Sequence, residues 1–68
     1  MSWADLKPEN RQLAIEILTP KQLRVLQHRL DGHSWNTIAI ALNTTRSTCR
    51  GHYATALTKL RQHMEITL

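Results

Sequence analysis

Apolar side chains recur along most of this chain at the three- and four-residue spacing that is typical of amphipathic α-helices. The first such segment begins near Ser2, breaks near Lys7, resumes at Pro8 and extends to about Ile17. Ser2 and Asp5 have the spacing of a capping box, and Pro8 suits a first helical position because its missing N–H is not needed there. The pattern predicts an amphipathic helical cover over residues 1–17.

The clearest helix start in the sequence is at Thr19. Threonine is a favoured N-cap, Pro20 follows at the first helical position, and Gln22 completes a capping box. Leucines then recur on one stripe, and Gly32 stands where a residue in the left-handed conformation would close the helix. We predict a second helix that begins at Pro20 and ends at about Asp31.

Two further helices of unequal length are predicted after this glycine. Ser34 caps a helix of about eight residues that ends at Asn43, since asparagine tolerates the left-handed conformation. Thr44 or Thr45 then caps a longer helix that reaches roughly to Met64. The apolar stripe of this last helix consists of Cys49, Tyr53, Ala56, Leu57, Leu60 and Met64. A short helix, a tight turn and a longer helix form the arrangement of a helix-turn-helix, whose second helix enters the DNA major groove.

Length and composition favour one small all-α domain. The chain has 68 residues, of which 41% are hydrophobic and 21% charged, so we expect one folded domain rather than a disordered chain. β-branched residues do not alternate as they do in strands. We predict a small four-helix domain over residues 1–68, in which residues 18–64 form the helix-turn-helix core.

No apolar run reaches the ~20 residues that cross a bilayer, and no signal-peptide pattern opens the chain. These two features predict a cytoplasmic protein without a membrane partner.

Charge is distributed unevenly between the two halves of the chain. The formal net charge is +4, but residues 1–31 contribute only +1 because acidic side chains nearly balance the basic ones. Residues 32–64 contain no Asp or Glu. The basic and histidine residues of that stretch are Arg46, Arg50, Lys59, Arg61, His33, His52 and His63. A surface of one sign favours a polyanion such as nucleic acid, although a solvated basic face explains the charge alone equally well.

The outward side of the last helix favours the nucleic-acid interpretation. With Cys49 inward and about 100° per residue, the outward residues are Ser47, Gly51, Ala54, Thr55 and Thr58. Arg50 and Arg61 flank them on one shoulder, and Thr48 and His52 on the other. A merely solvated helix usually mixes Glu with Lys, whereas this surface is small, polar and basic, so we predict that it faces double-stranded DNA. The expected phosphate contacts are Arg46, Arg50, Lys59, Arg61 and the capped helix starts at Ser34 and Thr45.

A family resemblance covers residues 18–60, which read LTPKQLRVLQHRLDGHSWNTIAIALNTTRSTCRGHYATALTKL. This stretch resembles the LuxR/GerE-type helix-turn-helix without a gap. The matching positions are Leu18, Thr19, Pro20, Lys21, Val25, Leu26, Gly32, Ser34, Ile38, Ala39, Leu42, Thr48, His52, Leu57, Lys59 and Leu60. Region four of the sigma factors is also similar, through Trp35, Ala56 and Leu60–Arg61, with a one-residue gap before Gly32.

The resemblance implies a function and a set of contacts. Both families are bacterial or phage transcription proteins, so it implies that residues 45–61 enter the major groove. The contacts that it implies are Ser47, Arg50, Gly51, Ala54 and Thr55, with Thr48 and His52 toward the phosphates. The sequence departs from the family at Thr37, where Glu is usual, and at Gly51, where a basic or polar residue is usual. The glycine removes one base contact from the set and weakens the helix by up to ~1 kcal/mol.

Other functional classes leave weaker signals. Cys49 and His52 have the spacing of a ligand pair, but a zinc site needs four ligands, and no acid in residues 32–64 would orient the imidazole for catalysis. We therefore expect no enzyme, no metal and no cofactor. The alternative to DNA binding is a protein-interaction module that binds RNA polymerase or another regulator without reading DNA.

Three large apolar side chains carry separate expectations. Trp3 is expected to cover the core, and Trp35 is expected to pack rather than to donate its indole N–H to a phosphate. Ile40 lies about 200° around the short helix from Ile38 and so points away from its buried side. Either the amino-terminal helix or a partner should cover Ile40, and we favour a partner, which would be a second copy of the chain or an RNA polymerase subunit.

Overall fold

The computed structural model of this chain describes residues 2–64. They form a 3₁₀ turn, Trp3–Asp5, and four α-helices. The helices are α1, Pro8–Ile17; α2, Pro20–Leu30; α3, Trp35–Ala41; and α4, Arg46–Met64. No strand occurs between residues 2 and 64, so the prediction of a small all-α, four-helix fold is confirmed. None of these helices is long and apolar enough to cross a membrane.

The amino-terminal cover is a 3₁₀ turn followed by α1, with the predicted break between them. The backbone N–H of Ser2 donates to the Asp5 carboxylate over 3.0 Å, and this hydrogen bond lowers the pKa of Asp5. Arg11 of α1 donates to the carbonyl oxygens of Ala4 and Leu6, at 3.0 and 2.6 Å. These bonds hold the 3₁₀ turn against α1, so Arg11 has a structural role rather than the solvated one that its position in the pattern suggested.

The start of α2 is the capping box that the sequence predicts. Thr19 Oγ1 accepts from the Gln22 backbone N–H, and Gln22 Oε1 accepts from the Thr19 N–H, at 3.3 and 3.2 Å. Leu18 is buried and Leu23 packs against the same cluster, which is the geometry of a hydrophobic staple. Local sequence therefore determines where α2 begins and how the chain enters it.

The ends of α2 and α3 are built in the same way. Gly32 has φ +89° after α2, and Asn43 has φ +54° after α3. In each case the next residue donates its N–H to a carbonyl in the last turn: His33 to His28 at 3.0 Å, and Thr44 to Ala39 at 2.9 Å. These are Schellman motifs, whose left-handed residue reverses the chain within a few residues. They set how closely α3 follows α2 and how closely α4 follows α3.

Two clusters of buried side chains lie between the helices. The first contains Ala14, Leu18, Leu26, Ala56 and Leu60. The second contains Val25, Ile38, Ala39 and Cys49. Half-buried Tyr53 contacts both clusters, and Trp3 packs on the first as predicted. Because α4 contributes to both clusters, its inner face is fixed along most of its length. The side chain of Met64, the last member of the predicted stripe, lies outside the described residues.

Candidate nucleic-acid interface

The outer face of α4 consists of Ser47, Gly51, Ala54, Thr55 and Thr58, and every one of these residues is exposed. Cys49, Ala56 and Leu60 are buried on the opposite side of the same helix. The outward direction predicted from helical geometry is therefore correct. The Thr58 hydroxyl donates to the Ala54 carbonyl over 3.0 Å, so it lies flat along the helix surface. From Ser47 to Thr58 the outer face is low in relief, because none of its side chains there is larger than threonine.

Gly51 lies at the middle of this face. A Cβ added there would meet no atom within 4 Å beyond the neighbouring residues and backbone of its own helix. Glycine inside a helix is unfavourable by about 0.8–1 kcal/mol relative to alanine. Packing within the described chain therefore does not require glycine at this position. A surface that a second molecule approaches closely would require it.

One shoulder of the outer face carries Arg50 and Arg61, both exposed, and Arg50 lies beside the start of α3. The guanidinium carbon of Arg50 is 5.9 Å from the centre of the Trp35 ring, and that of Arg29 is 4.3 Å from it. Arg29 also donates to the His33 carbonyl over 2.9 Å. Cations within about 6 Å of an indole face are attracted to it. Trp35 therefore contacts two arginines, Arg29 of α2 and Arg50 of α4, at one end of the outer face.

Trp35 itself is half-buried, and its ring meets Tyr53 edge-on at a centroid distance of 5.5 Å. This contact confirms the expectation that Trp35 packs. Sequence reasoning missed Arg29, because nothing in its own segment distinguishes it from a solvated arginine. The signal was the turn: the Schellman motif at Gly32 reverses the chain, so the last turn of α2 meets the first turn of α3.

The other shoulder of the outer face carries Thr48, which is exposed, and His52, which is half-buried. Both residues lie on the side of α4 that faces the start of α2, where they line a cleft together with α2 residues. The two shoulders therefore differ in their neighbours. Arg50 adjoins α3, whereas Thr48 and His52 adjoin α2 and the turn that precedes α4.

Ser34 and Thr45 are the N-caps of α3 and α4. Ser34 Oγ accepts from the Thr37 N–H and donates to the Thr37 hydroxyl, at 3.1 and 2.9 Å. Thr45 Oγ1 makes the same pair of bonds with Thr48, at 3.2 and 2.9 Å, which assigns the cap to Thr45 rather than to Thr44. The cap hydroxyls are thus engaged within the chain. Exposed Arg46, the first residue of α4, is the cation closest in sequence to the Thr45 cap.

The Lys59 side chain points toward α2 and is held there by a hydrogen bond. Its ammonium group donates to Gln22 Oε1 over 2.9 Å, and Gln22 is only 8% exposed. The same oxygen accepts the Thr19 N–H, so Lys59 fastens α4 to the capping box of α2. A lysine that holds two helices together in this way has a structural reason to be present.

No family model, curated protein or solved structure matches this chain.

The sulfur of Cys49 does not join a metal site in the described structure. Cys49 is completely buried among Val25, Ile38 and Ala39, whereas His52 lies on the shoulder of α4. Within residues 2–64, no three side chains of His, Cys, Asp or Glu come together as metal ligands would. Cys49 therefore acts as a small core residue.

Proposed function

We propose that this protein binds double-stranded DNA with the outer face of α4, as a small bacterial or phage transcription regulator. In this proposal α3, the turn after it and α4 form a helix-turn-helix, and α4 enters the major groove. The single observation that carries the proposal is the character of the outer face. Its residues from Ser47 to Thr58 are all exposed and no larger than threonine, and α4 contains no acidic residue.

A solvated helix does not explain that combination. Helices that only face water are usually supported by pairs of Glu and Lys four residues apart. In α4, Arg46, Arg50, Lys59 and Arg61 have no such acidic partner within the helix. The outer face gains nothing in helix stability from Gly51, Thr55 or Thr58, since all three are poorer helix formers than alanine. DNA binding supplies a reason for both features, because cations favour phosphates and small side chains allow close approach.

Arg50 is the residue that we propose to read a base. It is an exposed long donor on the shoulder of the predicted recognition helix, beside Ser47 and Gly51 of the outer face, and arginine bonds the O6 and N7 atoms of guanine in bidentate fashion. Its position near Trp35 and Arg29 supports this role, because a repelling cation and an attracting ring limit its rotamers. Arg46 and Arg61 are proposed as phosphate contacts.

The test is to titrate labelled duplex DNA with the protein at two or more salt concentrations. Each neutralised phosphate contributes about −0.9 to the slope of log K against log salt, and three to six contacts give a slope between about −3 and −5. Selection from random duplexes would then identify the operator. Affinity that is undetectable at low salt, or that does not change with salt, would overturn DNA binding. A regulator of this kind acts in the cytoplasm.

A second candidate role is binding to another protein through α3. Ile40 is 72% exposed, so the amino-terminal cover does not bury it. A second copy of the chain would cover this side chain and would double the contact with DNA, because paired helix-turn-helix units bind half-sites one helical turn apart. An RNA polymerase subunit is the other partner that we propose for it. Light scattering of the protein with and without duplex tests the homodimer, and a monomer in both states would exclude it.

A further inference from the structure

A cleft of about 170 Å³, lined mostly by residues with polar side chains, lies between the start of α2, the turn that follows α3, and α4. Its polar lining consists of Lys21, Arg24, Asn43, Thr44, Thr48 and His52, and Leu42 completes it. A water molecule occupies ~30 Å³ in the liquid, so the cleft holds several waters or one tetrahedral anion with part of its hydration shell. The lining therefore combines room with hydrogen-bond donors from three parts of the fold.

The charges of the cleft are all of one sign. Lys21 and Arg24 are exposed and enter from α2, and no acidic side chain lines the cleft. Like charges gathered around one concavity destabilise the compact state, and they raise the local concentration of anions. The sequence elsewhere offers acids close to its cations, for example Glu9 and Glu16 in α1. At the cleft, Lys21 and Arg24 have no acidic side chain among the other lining residues.

The uncharged groups of the cleft are also suited to an anion. The Thr48 oxygen accepts from the Thr45 hydroxyl over 2.9 Å, so its own hydrogen is not used in that bond, and Thr48 lines the cleft. Asn43 is held in the left-handed conformation at φ +54°, and its side-chain amide supplies two further N–H donors. Both residues are positioned by helix ends, the Schellman motif of α3 and the N-cap of α4, so they do not depend on flexible segments.

We propose that this cleft binds one phosphate group. Lys21 and Arg24 supply the positive charge, and Asn43, Thr48 and His52 supply directed hydrogen bonds. Arginine suits such a site because its planar fork matches two phosphate oxygens, and lysine adds a compact point charge. Sequence reasoning placed Thr48 and His52 among the contacts but did not connect them with α2.

Two sources supply this chemistry. One is a backbone phosphate of DNA, since Thr48 and His52 adjoin the outer face of α4; that source rests on the proposed function. The other is the phosphate of a small phosphorylated molecule, which requires no DNA binding. The same cleft serves either, so the experiment has one arm for each source.

The DNA arm compares Lys21→Gln, and the double variant Lys21→Gln with Arg24→Gln, with the matched control Lys7→Gln. Lys7 is an exposed lysine in the amino-terminal cover and lines no part of the cleft. Lys21→Gln should weaken cognate and random duplex alike by about eightfold at ~0.1 M salt and should reduce the salt slope by about 0.9. The double variant should reduce the slope by about twice as much. Lys7→Gln should leave both quantities close to wild type.

The free-phosphate arm uses the wild-type protein without DNA. Inorganic phosphate in the millimolar range is added at constant ionic strength, with chloride as the matched anion, while NMR follows the backbone amides of Asn43, Thr44 and Thr48 and the His52 ring. Phosphate should shift these signals in a saturable manner, chloride should not, and the double variant should lose the response. The amide of Ile15, on α1, serves as an internal control for general salt effects.

The outcomes separate the two proposals. A duplex effect of Lys21→Gln without a response to inorganic phosphate supports the cleft and assigns it to the DNA backbone. A saturable phosphate response with unchanged duplex binding, or with no duplex binding at all, supports the cleft and assigns it to a phosphorylated small molecule. If Lys21→Gln and Lys7→Gln behave alike on duplex and inorganic phosphate shifts no signal, the phosphate site is wrong, even where DNA binding itself is demonstrated.

Discussion

The inner and outer faces of α4 follow different rules although they share one helix. The inner face is explained by contacts within the chain: Cys49, Ala56 and Leu60 are buried in the two clusters, and Tyr53 connects them. Within the described chain, the outer face makes one side-chain hydrogen bond, from Thr58 to the Ala54 carbonyl, and no packing contact explains its other residues. Gly51 has open space around it, and Ala54 and Thr55 are exposed.

This difference separates the residues of α4 that the fold requires from those that the fold leaves free to vary. A sequence optimised only for stability would place strong helix formers and Glu–Lys pairs on an exposed face. The outer face of α4 does neither of these, whereas the neighbouring ends of α2 and α3 use N-caps and Schellman motifs throughout. Local rules are thus kept wherever the fold depends on them and are broken on the surface that we assign to DNA.

The largest effect is expected from truncating the inner face. Leu60→Ala should lower the free energy of unfolding by about 2–5 kcal/mol, because it leaves a cavity between α2 and α4. An apolar core in a domain of this size rarely supplies more than roughly 3–5 kcal/mol, so much of the variant should be unfolded at room temperature. The matched change on the outer face, Thr55→Ala, should stay within about 0.5 kcal/mol of wild type. Thermal and urea unfolding followed by circular dichroism measure both, and equal losses would remove the distinction between the faces.

The next effect concerns binding rather than folding. Arg50→Ala should remove roughly 1–3 kcal/mol of discrimination between the selected duplex and a random one, because a bidentate contact to guanine is lost. Arg50→Lys keeps the charge and loses the planar fork, so it should recover affinity but not discrimination. Both are measured by competition titration at constant salt. An equal loss on cognate and random duplex would reduce Arg50 to a phosphate contact.

The sequence was sufficient to predict where the helices begin and end, but it was not sufficient to predict which residues the long charged side chains contact. Helix ends depend on neighbours within a few residues, so Thr19, Ser34, Gly32 and Asn43 could be identified without the structure, and α3 proved one residue shorter than the approximate length predicted. The destination of Lys59 depends on Gln22, which is 37 residues away in the chain. A helical wheel gives the direction in which a lysine or arginine leaves its helix, but it does not give the residue that the side chain contacts. That contact depends on how α2 packs against α4. The cleft at Lys21 and Arg24 was missed for the same reason.

The two glycines should respond to the same substitution with opposite signs. Neither Gly32 nor Gly51 has an atom within 4 Å of an added Cβ, so packing is equal at both sites and only backbone conformation differs. Gly32→Ala should lower the free energy of unfolding by about 1–2 kcal/mol, because the backbone at Gly32 has φ +89°, which lies in the left-handed region. Gly51→Ala should increase the free energy of unfolding by about 0.5–1 kcal/mol.

Duplex binding completes the glycine experiment. If the outer face needs close approach, Gly51→Ala should weaken duplex binding while it stabilises the protein, whereas Gly32→Ala should bind normally once its folded fraction is taken into account. Both variants are measured by urea unfolding and by titration of the same duplex. A Gly51→Ala variant that is more stable and binds with unchanged affinity would show that the outer face does not require glycine for DNA.

The smallest effect on stability is expected at Ile40, the exposed apolar side chain of α3. Because Ile40 is 72% exposed, Ile40→Glu should change the free energy of unfolding of the monomer by less than about 0.5 kcal/mol. The informative measurements are the molecular mass in light scattering and the affinity for duplex DNA. If a second copy covers this side chain, Ile40→Glu should dissociate the dimer and weaken duplex binding. Ile15→Glu, at an exposed position of α1, is the matched control and should leave mass and affinity unchanged. Unchanged mass, affinity and melting temperature in both variants would leave Ile40 as an ordinary exposed residue, and pairing through α3 would then be excluded while DNA binding by α4 would not.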